Sequence, residues 1–442
     1  MHKKIFVLLI LPFLCSCIFD SSFSISEKLK PKAPSTPNTD PDPTSPPNQP
    51  LPPPTATLPP LPTIPTPSNA ITFPANPVYF YDEREIIFRS LRNFEDDWSV
   101  NRAINLAKAN NFTTISFTVK QDEDDPDEDI DPGNPSTSFP VKSGVVFFNS
   151  AIAPRPHRYQ NYDVVTKVIT KARAEGLKIK AWFPLFHDQV AATAHPEWAM
   201  MALVNGNVIP YIGTNPSWPE YFINPLNRDV QLYQLSLLKE FVTLHNVDSI
   251  VLDWLRFDDF NMDMSDATRT DFEAIYGVDP INIDFSTDNL NRQNWNTYRT
   301  TKVAIFVAEI REELLKIRPN LEIGAYILPP EFIECGQDAA KLAPYLDFLS
   351  PMAYYSDWGQ TSQWVYQTLI PSVVTKAPQT KIIPVYEKAF SSSNNTGWKA
   401  NIYSAINNAV STQYPEMRSA SYFKYQWWDD DEVENSALSS RK

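Results

Sequence analysis

The sequence is short of glycine, cysteine and positive charge, and each shortage removes a class of function. Ten glycines serve 442 residues, and no Gly-x-Gly-x-x-Gly, phosphate-binding loop or Gly-x-Ser-x-Gly elbow occurs. Nucleotide cofactors and serine-hydrolase chemistry are thereby disfavoured. Lysine and arginine number 38 against 52 aspartates and glutamates, a formal net charge of -14. That balance argues against a nucleic-acid partner, which needs a basic footprint, and it repels anionic lipid surfaces. Five histidines without a His-Glu-x-x-His pair disfavour zinc catalysis, so no metal and no other cofactor is expected. Only three cysteines are present, too few for a disulfide framework.

What is present begins with a targeting pattern. Lys3 and Lys4 precede an apolar stretch, Ile5 to Leu14, that is shorter than the roughly 20 residues a spanning helix requires. Leu14-Cys15-Ser16-Cys17 resembles a bacterial lipobox. Residues 1–17 therefore read as a lipoprotein signal peptide, with Cys17 as the lipid-attachment site and the new N-terminus; ordinary signal-peptidase cleavage nearby is the alternative. Ile18 is not the aspartate of an inner-membrane retention signal, so the expected location is the cell envelope, lipid-anchored at the outer membrane. After processing only Cys335 remains, and it reads as a small, partly buried residue.

Proline, scarce in most folded domains, is abundant here. Residues 31–77 hold nearly half of the 41 prolines. Proline fixes φ and removes an amide donor, so residues 18–77 are expected to be a disordered, polyproline-like linker whose reach is on the order of 100 Å. From residue 78 to residue 442 the composition becomes that of a folded domain. Apolar residues make up 43% and charged residues 20% of the chain, enough for a large core.

Within that domain, strand and helix patterns alternate. Strands are expected at Arg84–Leu91, Thr113–Val119, Leu177–Phe183, Asp248–Asp253, Leu321–Ile327, Asp347–Met352, Lys381–Tyr386 and Ser419–Tyr425. Helices are expected at Trp98–Ala109, Tyr162–Ala174, Arg228–Leu244 and Tyr298–Ile317, where apolar residues recur at helical spacing. Alternation implies a parallel sheet, and eight units imply a (β/α)₈ TIM barrel. Two features disturb the pattern. Pro384 sits inside the seventh strand, where it removes a ladder bond, and the acidic run Asp122–Asp131 reads as a solvated loop without the glycine of a calcium site. Gly144–Ser150 is a candidate extra strand.

In such a barrel the active site lies at the C-terminal ends of the strands. The fourth strand is the most informative, running from Val247-Asp248-Ser249-Ile250-Val251-Leu252 into Asp253-Trp254-Leu255-Arg256-Phe257-Asp258. Asp253 is the first candidate catalytic carboxylate, with Arg256 placed to pair with it and fix its rotamer. A structural Asp–Arg pair closing the barrel top is the alternative. Glycoside hydrolysis needs two carboxylates, and the strand-end positions offer Glu387, then Glu331, then Asp357 as the second. Trp182, Tyr354 and Trp427, with Trp254 and Trp428, supply aromatic faces on which sugar rings pack. His187 and Asp258 are further candidates for substrate hydroxyls.

These residues resemble the bacterial family of glycosyl-hydrolase-like barrel lipoproteins, whose fourth strand reads Asp-Gly-Ile-His-Phe-Asp-Tyr-x-Arg-Tyr-Pro. The match lies in Asp248, Ile250, Asp253, Arg256 and Phe257. Phe147–Pro154, Ala172–Phe183, His195–Trp198, Asn224-Pro225 and Ser350–Tyr355 resemble other family landmarks in the same order, over residues 84–428. Asp258 stands where the family has proline, and the spaced acids of chitinases are absent. The resemblance implies a glycosidase acting on an oligo- or polysaccharide, attached to a membrane through its lipid. A glycan-binding surface lipoprotein without turnover is the alternative.

Overall fold

The computed structural model describes residues 83–423, apart from 90, 92, 93, 95, 123, 124, 132, 133, 214–219 and 388–399. The expected signal peptide with Cys17, the expected linker, and Trp427 with Trp428 lie outside the described residues.

In chain order the elements are β1 (Arg84–Phe88), α1 (Asp97–Ala109), β2 (Thr114–Thr118), β3 (Asp125–Asp131), β4 (Asn134–Val141), α2 (Val164–Ala174) and β5 (Lys178–Pro184). Then come α3 (Gln189–Ala194), β6 (Met201–Val204), β7 (Asn207–Pro210), α4 (Arg228–Leu244), β8 (Ser249–Asp253), α5 (Asp266–Tyr276), α6 (Leu290–Ile317) and β9 (Glu322–Ile327). The chain continues through α7 (Ala339–Leu342), β10 (Phe348–Pro351), α8 (Ser362–Trp364), α9 (Ile370–Lys376), β11 (Lys381–Ile382), β12 (Val385–Glu387), α10 (Ala400–Gln413) and β13 (Ala420–Phe423).

Helix starts follow their capping residues. Asp96 and Ser99 form a reciprocal capping box on α1, Asp163 caps α2, and Asn289 caps α6; each satisfies amides that the first helical turn leaves open. α6 begins at Leu290, eight residues before the expected Tyr298. Its added turns, Leu-Asn-Arg-Gln-Asn-Trp-Asn-Thr, are too polar to show a helical stripe, yet Trp295 is fully buried within them and donates to the Phe260 carbonyl at 2.7 Å.

Nine parallel strands form one curled sheet in the order β11-β10-β9-β8-β5-β2-β1-β13-β12. Its two end strands are successive pieces of one segment. Ile383 donates to Leu349 on one side, and Ser421 donates to the Pro384 carbonyl on the other, both at 2.9 Å. The segment thus changes neighbours at Pro384, and the sheet returns on itself. The expected single strand Lys381–Tyr386 is therefore split, because proline cannot donate to a ladder.

Inward side chains fill the sheet in layers, as in barrels whose interiors are packed rather than open. The lower layer is ionic. Lys180 lies 3.1 Å from Glu83 and 2.5 Å from Glu85, and Lys381 lies 2.7 Å from Glu83. Phe348 sits above, occupying space that a side chain at Gly324 would claim, since a Cβ there would lie 2.2 Å from its ring. Trp182, Tyr326, Val251, Ile87 and Val385 form the next layer. Outside, α1, α2, α4 and α6 cover the sheet with one continuous apolar core. Asp248, a residue of the family resemblance, serves the sheet instead. Its carboxylate accepts from the Ile179 amide at 2.8 Å, and Asp347 does the same for Ile323. Both tie the start of a strand to its neighbour.

Two expectations are corrected. The run Asp122–Asp131 is not a plain solvated loop: Asp125–Asp131 pairs antiparallel with Asn134–Val141, and Asp122 is buried. Gly144–Ser150 is not a strand, contributing only an isolated bridge between Val146 and Lys120.

Candidate active site

At the C-terminal end of β8, Asp253 is 6% exposed. Its Oδ2 accepts from Trp182 Nε1 at 2.9 Å and its Oδ1 from the Trp254 amide at 2.7 Å. The second bond depends on an unusual backbone. Trp254 has φ 49°, a left-handed conformation that costs a bulky residue about 1–3 kcal/mol and that persists where its surroundings enforce it. Those surroundings are the Arg256 guanidinium 4.2 Å above the indole, and the rings of His187 and Phe222 beside it.

Burial pushes the Asp253 carboxyl up to about 6. The nearby negative charge of Asp122 adds to that rise, while the Trp254 amide, Arg256 and Trp182 oppose it. A carboxyl kept protonated in this range can give up a proton near neutral pH.

The expected partner is corrected. Arg256 makes no hydrogen bond to Asp253; its Nη1 donates to Asp258 at 2.9 Å and to the Phe257 carbonyl at 3.3 Å. The left-handed turn at Trp254 separates the two side chains, so Arg256 acts on Asp253 only through space. Asp258 also accepts from the Tyr211 hydroxyl and is thus fully engaged within the wall.

The other expected site residues divide. Trp182 is buried and holds Asp253 rather than presenting a face to a sugar. His187 is 2% exposed and stacks on Phe222 at 5.0 Å. Burial, then the charges of Lys120 and Arg256, lower its imidazole to about 3. It is therefore neutral near pH 7 and packed inside the wall, not open to a hydroxyl. Tyr354 is half-buried and stacks on Phe423, centroids 5.8 Å apart, with Trp358 at 5.6 Å. Glu331 is exposed and accepts from Trp364 Nε1 at 3.1 Å, so it is tied to the segment after β10. Asp357 is half-buried in the loop beyond Tyr354. Glu387 ends β12 opposite Phe423, and its side chain lies outside the described residues.

Sequence reasoning missed Arg89 and Asp122. Arg89 follows β1 and Asp122 follows β2, and they form an ion pair at 3.2 Å with side chains 13% and 4% exposed. The Asp122 backbone is bonded to His187, and the Arg89 guanidinium lies over the Phe423 ring at 5.9 Å. Choosing strand-end residues on the second strand as on the fourth would have found Asp122; the acids of the hairpin behind it masked the signal. Beneath the pair, Lys120 is completely buried, 2.9 Å from Asp188, and donates to the Pro184 and Leu185 carbonyls at 3.0 Å. Asp188 lies so close under Gly144 that a Cβ there would stand 1.9 Å from its Oδ1. Among the described residues no group of three or more His, Cys, Asp or Glu gathers in a way that holds a metal.

Comparison with known proteins agrees with this architecture. The glycoside hydrolase domain of PgaB (BpsB) from Bordetella bronchiseptica superposes with a TM-score of 0.60 at 13% identity, over 81% of this chain and 98% of that one. Alpha-L-fucosidase isoenzyme 2 from Paenibacillus thiaminolyticus gives 0.53 at 13% identity, over 81% and 48%. At such identities the likeness is one of fold. An S-layer-related protein of Niallia circulans is 24% identical over 263 residues, which are 53% of this chain and only 16% of that protein. The family described as "Putative glycosyl hydrolase domain" matches residues 140–403, more than half of the sequence, and the chain belongs to that family.

Proposed function

We propose that the protein is a glycoside hydrolase that cleaves O-glycosyl bonds of an oligo- or polysaccharide, with Asp253 as the acid that protonates the leaving oxygen. The observation that carries this reading is the environment of Asp253: a strand-end carboxyl, almost buried, fixed by two donors and held near 6 by desolvation. Tyr354 and Phe423 add partly exposed aromatic surface of the kind sugar rings pack against. The test is incubation with a broad polysaccharide panel and measurement of released reducing ends. Turnover of at least one glycan is expected, with kcat/KM falling about tenfold per pH unit above roughly 6 as the acid loses its proton. Binding without any hydrolysis across the panel would favour the glycan-binding reading, which the near-complete burial of Asp253 supports.

The second part of the proposal is placement. Lipid on Cys17 would hold the enzyme in the bacterial cell envelope, at the outer membrane, with residues 18–77 as spacer. Cys17→Ser is expected to move the protein from the membrane pellet to the soluble fraction. Retention in the pellet would count against the anchor.

A further inference from the structure

The hydrolase reading leaves one role unfilled, that of the group acting on the far side of the anomeric carbon. We propose that Asp122 is the second catalytic carboxylate and that Arg89 is its positioning partner. The assignment rests on the hydrolase reading and deepens it. Both residues lie outside the family match of 140–403, so that correspondence does not reach them.

Position argues first. Asp122 follows β2 and Asp253 ends β8, and β5 lies between those strands with Trp182 on its inward face. The two acids therefore lie beyond the same end of the sheet, on the strands either side of the one that carries the indole. Arg89 extends from β1 across the Phe423 ring, next to the Tyr354 platform. The ion pair thus stands beside the same partly exposed aromatics that suit a sugar. Asp122 is also fixed twice, through Arg89 at its carboxylate and through His187 at its backbone, and reacting groups need to be held this way.

Elimination argues second. Asp258 is engaged by Arg256 and Tyr211. Asp188 is sealed by Lys120, the Ala191 amide and Gln234. Glu331 is bound to Trp364 on the exposed side. Asp122, by contrast, is buried, and among the described residues its carboxylate is one whose charge is felt at Asp253.

The step balances. A water gives its proton to Asp122 as its oxygen lone pair forms the new bond to the anomeric carbon. The carbon–oxygen bond to the leaving sugar breaks, and that oxygen takes the proton of Asp253. Solvent then restores the proton to Asp253 and removes one from Asp122. The guanidinium of Arg89 pairs with the anionic form that this cycle starts from.

The experiment uses the full chain and a set of dinitrophenyl glycosides, whose leaving group needs no acid. Asp122→Ala is expected to lose about 1,000-fold in kcat. Added azide should restore at least about tenfold and give a glycosyl azide of the opposite anomeric configuration, because the small anion attacks in place of the activated water. A folded variant that keeps more than about a tenth of wild-type kcat would overturn the assignment. So would an azide product of retained configuration, or a loss that azide does not relieve. If Asp122→Ala does not fold, Arg89→Gln serves: the acidic limb of kcat/KM should move up by about one pH unit, since the carboxylate loses its cation, and an unmoved limb overturns the assignment. A wild type inert on every glycoside would sink the hydrolase reading itself, a different outcome from an active wild type with an active Asp122→Ala.

Discussion

Asp253→Asn should lower turnover by about 100- to 10,000-fold on substrates with poor leaving groups, the span over which a positioned general acid contributes. Asparagine keeps the volume and one acceptor but has no proton to give. On dinitrophenyl glycosides the loss should shrink, because that leaving group departs unaided. The same variant carries a signature in stability. A carboxyl raised from 3.8 to about 6 binds its proton more tightly in the folded protein than in the unfolded chain. Its contribution is fully present below pH 3.8 and is lost as pH rises through 6. At pH 7 the wild type should therefore have lost about 2 kcal/mol relative to pH 4, a loss that Asp253→Asn does not share. Urea denaturation of both proteins at several pH values reads this directly. The asparagine also turns an amide towards one of two donors, Trp182 Nε1 or the Trp254 N–H, and that cost does not depend on pH. Parallel curves for the two proteins would mean that Asp253 is not desolvated as described.

Lys120→Met should be the most destabilising single change in the wall. The lysine is inaccessible, and its three donors serve Asp188 and two carbonyls. Removing it leaves a buried carboxylate without its cation, at a cost of about 3–5 kcal/mol. Thermal denaturation should show Tm lower by on the order of 10 °C. The double variant with Asp188→Asn should recover much of the loss, since asparagine can still accept from the Ala191 amide. A single variant within about 1 kcal/mol of wild type, or a double variant no better than the single, would show that the pair does not hold the β2 and β5 ends together.

α4 was readable to the residue, Arg228–Leu244, because its apolar stripe is regular from end to end. Asp253 was readable because it follows an unbroken buried run. The roles of its neighbours were not. Sequence spacing places Arg256 within reach of Asp253, and only the positive φ of Trp254 sends the guanidinium to Asp258 instead. Trp182 and His187 carried the right chemistry at the right strand end, but spacing does not reveal that the first is buried as a donor to Asp253 and the second is packed inside the wall. Asn224 and Asp248 look like site landmarks; the first is bound to Asp263 and the second to a strand amide. Asp122 was lost among the acids of its own hairpin. Secondary-structure patterns follow local periodicity, whereas the site is set by turns of one or two residues.

The change of neighbours at Pro384 has a mechanical consequence. Between β10 and β11 only two residue pairs are in register, whereas β5 and β8 share five, and so do β2 and β5. The curled sheet is consequently stitched unevenly along its course. Asp122, Trp182 and Asp253 stand on its most thoroughly stitched arc, while Pro384 marks the thinnest seam across the bore. The shortest ladder therefore lies on the wall that carries neither Asp122 nor Asp253, and both acids border the strand with the longest ladders on its two sides.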